Sequence, residues 1–170
     1  MDEQQQSDSN DFVRRRTTRL AHPLPSSRLL LEKQFLTLRA YGTRTRDRGL
    51  SMQELAKTVG VHESNLSTCN PFFVEVGLIE RAEGGYKATP ATVAYAEAAE
   101  WDEQTALEKL APAFERSWLW QVIEPRIQFR PIEEDEAIRL LAEKTRASKE
   151  LKPQVRLLLD YLVSVRLLTR

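Results

Sequence analysis

The chain has almost no side chains that form cross-links or bind transition metals. It contains one cysteine, Cys69, and two histidines, His22 and His62. An internal disulfide is therefore impossible, and a metal site built on several thiolates is excluded. A zinc site would need carboxylates from unrelated parts of the chain. Cys69 and His62 lie seven residues apart, so a thiolate–imidazole pair stays open, although the pattern favours a buried, inert thiol.

The chain also has no excess of charge. Its 25 lysines and arginines balance 25 aspartates and glutamates. Because proteins dedicated to nucleic acids are usually basic, this balance argues against tight non-specific DNA binding. The charges are unevenly spread, however: residues 11–50 hold ten basic and three acidic side chains, and residues 51–100 hold three and seven. The positive field is therefore expected near the N-terminus.

Long apolar runs and phosphate-binding loops are missing as well. No run approaches membrane-spanning length and no signal-peptide pattern is present, so we predict a cytoplasmic protein without a membrane partner. Gly84 and Gly85 precede no Lys-Ser or Lys-Thr pair, and we expect a hairpin turn there. The acids at positions 133–136 fit the first turn of a helix better than a catalytic or metal site. Together these absences predict a protein that is not an enzyme and binds no cofactor.

Composition divides the chain into three predicted segments. They are a disordered basic arm (residues 1–26), a first domain (residues 27–101) that begins with a helix over residues 28–41, and a second helical domain (residues 102–170). Arg14, Arg15 and Arg16 in the arm either contact DNA phosphates or belong to a solvated tail.

Residues 51–89 contain the most informative pattern. Ser51 and Glu54 form a capping-box pattern at the start of a helix, and Gly60 is placed to end that helix in a left-handed turn. A second helix is predicted from Glu63 to about residue 76. Residues 77–81, 82–85 and 86–89 then read as strand, glycine turn and strand, which predicts a β-hairpin.

A proline interrupts the second of these helices. Asn70-Pro71 removes a backbone hydrogen bond there, so we predict a short helix that ends near Asn70. A new turn then carries Phe72, Phe73 and Val76 into the core.

A helix-turn-helix followed by a hairpin resembles the winged helix-turn-helix superfamily. The resemblance covers residues 51–89, and residues 27–89 if the helix over 28–41 is the first of three. It implies a mainly α fold with a small β-hairpin. It also implies that the loop over residues 42–49 joins the first two helices and either lies near a DNA backbone or only solubilises the protein.

The second half repeats the order of elements without repeating the sequence. Helices are predicted over residues 91–101 and 103–110 and again from Pro112 until Pro125 ends the helix, followed by a short strand over residues 126–130. An acidic helix start at 133–136, a turn and a last helix from Pro153 follow. This order resembles uncharacterised prokaryotic tandem winged-helix proteins, and it implies a second winged-helix unit with a truncated wing.

On the helix-turn-helix pattern, outward-facing small polar side chains would read DNA, and basic side chains around them would clamp phosphates. The reading candidates are His62, Ser64, Asn65, Ser67 and Thr68, and the phosphate candidates are Lys57, Lys87, Arg44, Arg46 and Arg48, with Arg14, Arg15 and Arg16 of the arm.

Two functions remain open. The first is a transcriptional regulator that binds double-stranded DNA as a two-fold dimer, with a dimer contact in the C-terminal half near Trp118 and Trp120 or on the last helix. The second is an adaptor built from tandem winged helices that binds a protein partner without DNA. Glu63 on the reading helix and Glu83 at the hairpin tip favour the adaptor, whereas the arginines before residue 50 favour DNA.

Overall fold

The computed structural model describes residues 19–44 and 48–170. Arg14, Arg15, Arg16 and Arg46, together with most of the predicted arm, lie outside the described residues. The described chain is mainly helical with one small antiparallel hairpin, which confirms the predicted fold class at that level.

The helices and strands follow one another in chain order. They are α1 (Leu31–Arg44), α2 (Met52–Val59), α3 (Glu63–Ser67), α4 (Asn70–Val76), β1 (Ile79–Ala82), β2 (Gly85–Ala88), α5 (Pro90–Ala99), α6 (Glu103–Ala106), α7 (Ala111–Arg116), α8 (Trp118–Ile127), α9 (Glu134–Thr145) and α10 (Lys152–Ser164), with 3-10 turns at Leu107–Leu110 and Lys149–Leu151.

The first helix begins and ends three residues later than predicted. Gly42, which was expected to open a loop, lies inside α1 and is buried. A Cβ at this position would stand 2.5 Å from the carbonyl oxygen of Thr92 and 2.6 Å from the Cβ of Ala96, both on α5. Glycine is therefore required here by the close crossing of two helices, and the pattern was misread as a loop signal.

We predict that Gly42→Ala lowers the free energy of unfolding by about 1–2 kcal/mol. Alanine gains about 1 kcal/mol of helix propensity, but a Cβ 2.5 Å from a backbone carbonyl oxygen places the overpacking cost in the upper part of its usual range, at about 2–3 kcal/mol. Urea unfolding monitored by circular dichroism measures the change. Thr43→Ala, at an exposed position in the same turn of α1, is the control and should be close to neutral. Equal stability of the Gly42→Ala variant and the wild type would contradict the close crossing.

The helix-turn-helix over residues 51–76, called the turn unit below, has the local signals that were predicted. Ser51 accepts the backbone N–H of Glu54, and the Glu54 carboxylate accepts the backbone N–H of Ser51, so the capping box is complete. Gly60 follows α2 with φ 73°, in the left-handed region. The second helix is split into α3 and α4, and Pro71 stands in the first turn of α4, where its missing N–H costs nothing.

The hairpin gains a third, short partner. Ala82 and Gly85 are its last paired residues, so only Glu83 and Gly84 form the turn. On the outer side of β2, Leu50 forms an antiparallel bridge with Tyr86: the Leu50 N–H donates to the Tyr86 carbonyl at 2.8 Å. The segment between α1 and α2 is therefore held against the hairpin.

Two predictions for the second half are wrong. Pro125 does not end α8, which continues to Ile127, and residues 126–130 form no strand. Ile127 packs against the core four residues after the buried Ile123, so these apolar positions follow helical spacing. Pro125 has no N–H to donate to the carbonyl four residues before it, but the Gln128 N–H donates to the Glu124 carbonyl at 3.2 Å, so helical hydrogen bonding continues past the proline. The acidic start of α9 and the start of α10 at Pro153 are confirmed within one residue.

Both halves contribute to one core, and Tyr161 lies at its centre. This fully buried ring packs against Phe35 of α1, Phe72 of α4 and Phe114 of α7, with centroids 5.2, 5.2 and 5.6 Å away. Its hydroxyl donates to the side-chain oxygen of the buried Gln34. Burial raises the pKa of Tyr161 well above its ordinary value, so the hydroxyl keeps its proton.

The side-chain amide of Gln34 has hydrogen-bond partners for both its nitrogen and its oxygen. Its amide group donates to the carbonyl oxygens of Ser26 and Leu29, each at 2.9 Å, while its oxygen accepts the Tyr161 hydroxyl. This amide therefore joins the segment before α1, the start of α1 and the last helix. The domain boundary predicted between residues 101 and 102 stays a prediction. One buried cluster contains residues from both sides of it.

We predict that Tyr161→Phe destabilises the protein by about 1–3 kcal/mol, because the buried oxygen of Gln34 loses its donor. Thermal unfolding followed by calorimetry should show a lower Tm. Tyr95→Phe is the matched control: Tyr95 is also buried, but its hydroxyl donates to the Phe35 carbonyl over 3.5 Å. If both variants lose the same stability, the Gln34 contact is not special.

The segment over residues 19–26 lies across both halves. The Ala21 N–H donates to the Thr145 carbonyl at the end of α9, at 2.8 Å. The His22 ring stacks on Trp118 of α8 with centroids 4.3 Å apart, and its Nδ1 hydrogen-bonds the carboxylate of Glu75 in α4. Trp118 is therefore covered from within the chain.

Candidate nucleic-acid interface

Three of the predicted phosphate-binding side chains meet in one groove. Arg44 comes from the end of α1, Arg48 from the segment after it and Lys57 from α2, and all three line the same depression with Glu54 and Thr58. Arg44 donates to the Thr58 hydroxyl, and Arg48, whose side chain is 79% exposed, lies 3.4 Å from Glu54. Lys57 is exposed on the last turn of α2.

Glu54 reduces the positive charge of this groove without cancelling it. The backbone N–H and then the hydroxyl of Ser51 lower the pKa of Glu54, with smaller contributions from Arg48 and Arg44. The carboxylate is therefore ionised at neutral pH. Three cations and one anion leave a net positive groove that presents two guanidinium groups and an ammonium group to solvent, the chemistry that binds phosphate.

The short helix α3 presents its polar side chains to solvent. His62, Ser64, Ser67 and Thr68 are exposed, and Asn65 is half-buried. His62 is the N-cap: its Nδ1 accepts the Ser64 backbone N–H at 3.2 Å. A helix of five residues has few internal hydrogen bonds, so its stability depends on this cap and on the buried Leu66.

We predict that His62→Ala frays α3 and lowers stability by about 1 kcal/mol, because the Ser64 N–H loses its partner. Amide hydrogen exchange at residues 64–66 should become faster, while exchange in α10 follows only the global change. His62→Asn is the matched rescue, because asparagine is a strong N-cap residue, and it should restore protection. Equally fast exchange in both variants would show that the cap does not hold α3.

The hydroxyl groups of Ser67, the last residue of α3, and of Thr68, which follows it, already donate to backbone carbonyls of the same turn. Ser67 donates to the Ser64 carbonyl at 3.0 Å, and Thr68 donates to the Asn65 carbonyl at 2.7 Å. In this arrangement both oxygens are acceptors toward a ligand. They suit the amino groups of adenine or cytosine, whereas donors for phosphate come from the groove.

The hairpin is nearly neutral. Lys87, a predicted phosphate contact, forms an ion pair with Glu80 across the strands at 3.3 Å. Glu83 is exposed in the turn. Arg81 was not predicted as a candidate; its guanidinium lies 5.8 Å from the centroid of the Tyr86 ring on the facing strand. Its outward position on β1 was the signal that would have identified it.

Cys69 belongs to the core and not to the site. It is fully buried, and burial raises the pKa of its thiol to about 11. The side chain of His62, by contrast, is exposed and bonded to Ser64. The structure therefore separates the two members of the considered thiolate–imidazole pair.

Across residues 19–44 and 48–170, no cluster of three or more histidine, cysteine or acidic side chains is arranged to hold a metal ion. None of the helices in this part of the chain combines the length and apolar character needed to span a bilayer.

Comparisons with protein-family models, with curated proteins and with solved structures found no match for this chain. The interpretation of the site therefore depends on its geometry.

Proposed function

We propose that the protein binds double-stranded DNA through a winged helix-turn-helix formed by residues 27–101 and acts as a cytoplasmic transcriptional regulator. The convergence of Arg44, Arg48 and Lys57 from three separate segments on one groove beside the turn unit carries this proposal.

The order of elements supports the winged-helix interpretation. A first helix is followed by the short Leu50 bridge, the pair α2 and α3, and a hairpin that pairs with the bridge. The Leu50–Tyr86 pairing places the segment that carries Arg48 against β2. Backbone hydrogen bonds therefore connect the hairpin to one side of the groove. In a winged helix-turn-helix, α3 would enter the major groove while neighbouring cations hold the backbone.

The second half is proposed to be a winged-helix-like helical unit that lacks its hairpin. The succession of α8, α9 and α10 supports this interpretation, and residues 165–170 follow as turn and coil. Its role in the proposal is to hold the first unit through the shared core rather than to contact DNA.

The chemistry of α3 suggests modest sequence discrimination. Its exposed side chains include no lysine or arginine for guanine, and the Glu63 carboxylate can only accept from base amino groups while it repels phosphate. Affinity should therefore come mainly from phosphate contacts, with a strong dependence on salt.

The decisive measurement is fluorescence anisotropy with random-sequence duplex DNA at several salt concentrations. Wild-type binding should weaken steeply with salt. In the triple variant Arg44→Ala, Arg48→Ala and Lys57→Ala, the slope of log K against log salt should become shallower by about 0.9 for each lost contact, or about 2.7 in total.

A second triple variant controls for net charge. Lys109→Ala, Arg116→Ala and Lys144→Ala remove the same charge from exposed positions outside the turn unit. This variant should keep the wild-type slope. Equal losses in both variants would mean that only global charge matters and would contradict a site in the groove.

An adaptor without DNA binding is the second candidate, and the acidic side chains favour it. Glu63 stands on the first turn of α3, Glu80 neutralises Lys87, and Glu83 occupies the hairpin turn. Absence of DNA binding even at low salt would support this candidate, and a protein partner would then be sought for the same surface.

A further inference from the structure

The second half carries an exposed aromatic side chain beside an apolar groove. Phe129, in the turn after α8, is 88% exposed. It stands on the edge of a groove of about 780 Å³ formed by the ends of α8 and α10, the start of α9 and the C-terminal residues. The apolar walls include Ile127, Ile132, Val163 and Leu167. The exposed ring and the apolar walls line one groove and so form a contiguous apolar patch, the kind of surface that marks an interaction site.

We propose that this face is the contact between two copies of the chain, with Phe129 of each copy inserted into the groove of the other. A two-fold axis brings the same patch of both molecules together. The ring that projects from one copy then faces the groove of the other copy, and the same contact forms twice. The groove has the volume of pockets that enclose whole ligands, so a phenyl ring fits within it.

The charged side chains around Phe129 favour a second copy of the chain over a partner whose surface is uniformly positive or uniformly negative. Arg126 and Glu133 flank the turn on either side, both are exposed, and neither forms an ion pair within residues 48–170. Across a two-fold axis, Arg126 of one copy can meet Glu133 of the other, twice per dimer. The other arginines of the groove, Arg130 and Arg170, are already paired with Glu136 and with Asp160 and Glu134.

Two further observations fit self-association. The chain has zero formal net charge, so no long-range repulsion opposes the approach of two copies. The indole of Trp118, in the region considered for a dimer contact from the sequence, is covered by His22. A small apolar ligand in the groove would leave the Phe129 ring in water. A second copy of the chain buries both the ring and the groove.

The test is sedimentation velocity of the full chain without DNA, from about 1 to about 300 µM, a range that spans weak and standard interfaces. Because the assay contains no DNA, its result is independent of the proposed DNA binding. We expect a concentration-dependent dimer. Phe129→Asp should weaken it by at least about 100-fold, because two rings lose their buried sites. Trp101→Ser is the matched control, since Trp101 is 91% exposed at another place, and it should leave the dimer unchanged.

A charge reversal tests the two-fold geometry. Arg126→Glu alone and Glu133→Arg alone should each weaken the dimer, and the double variant should restore it, because both ion pairs are rebuilt with opposite polarity. A chain that stays monomeric over the whole range would overturn the proposal and leave the groove to a small apolar molecule or another protein. A dimer that is insensitive to Phe129→Asp, or one that the double reversal does not restore, would overturn it as well.

Discussion

The hydrogen bond between Tyr161 and Gln34 is the constraint on which the rest of the structure depends. It is a buried polar contact between the last helix and the first, and the same amide also holds the backbone at Ser26 and Leu29. Removing water from such groups is costly unless every one of them is paired, so the pairing admits a single arrangement of these helices. Because Arg44 lies at the far end of α1, this buried contact positions one of the three segments that form the proposed DNA-binding groove.

The candidate interface separates affinity from selectivity. The cations are fixed at the end of α1, after it and on α2, while the exposed face of α3 offers hydroxyl oxygens, an imidazole and a carboxylate. Charged donors and base-edge acceptors are therefore on different elements. The turn unit aligns these elements through the capping box at Ser51 and the Leu50–Tyr86 bridge. A protein built this way would hold a phosphate backbone first and discriminate bases only weakly.

Features that depend on a few neighbouring residues could be predicted from the sequence. Features that depend on packing between distant segments could not. The capping box, Gly60 and the break near Asn70-Pro71 act within one or two turns. The structure has the first two where they were expected and the break at Thr68 and Cys69, just before Asn70. Gly42 and Pro125 were taken as helix breakers, but Gly42 lies inside α1 where α5 crosses it, and α8 continues past Pro125. For the site, the residue types could be predicted, whereas the meeting of Arg44, Arg48 and Lys57 depends on how three segments pack.

The contacts of the first helix also have a consequence for biosynthesis. Gln34 and Tyr161 are 127 positions apart, and Ala21 finds its partner only at Thr145. While the ribosome is still adding the second half, Phe35 and Phe72 lack the ring that covers them in the finished core. The nascent first half therefore exposes apolar surface until α10 joins the core, and transiently exposed surface of this kind is what makes folding chains prone to aggregation.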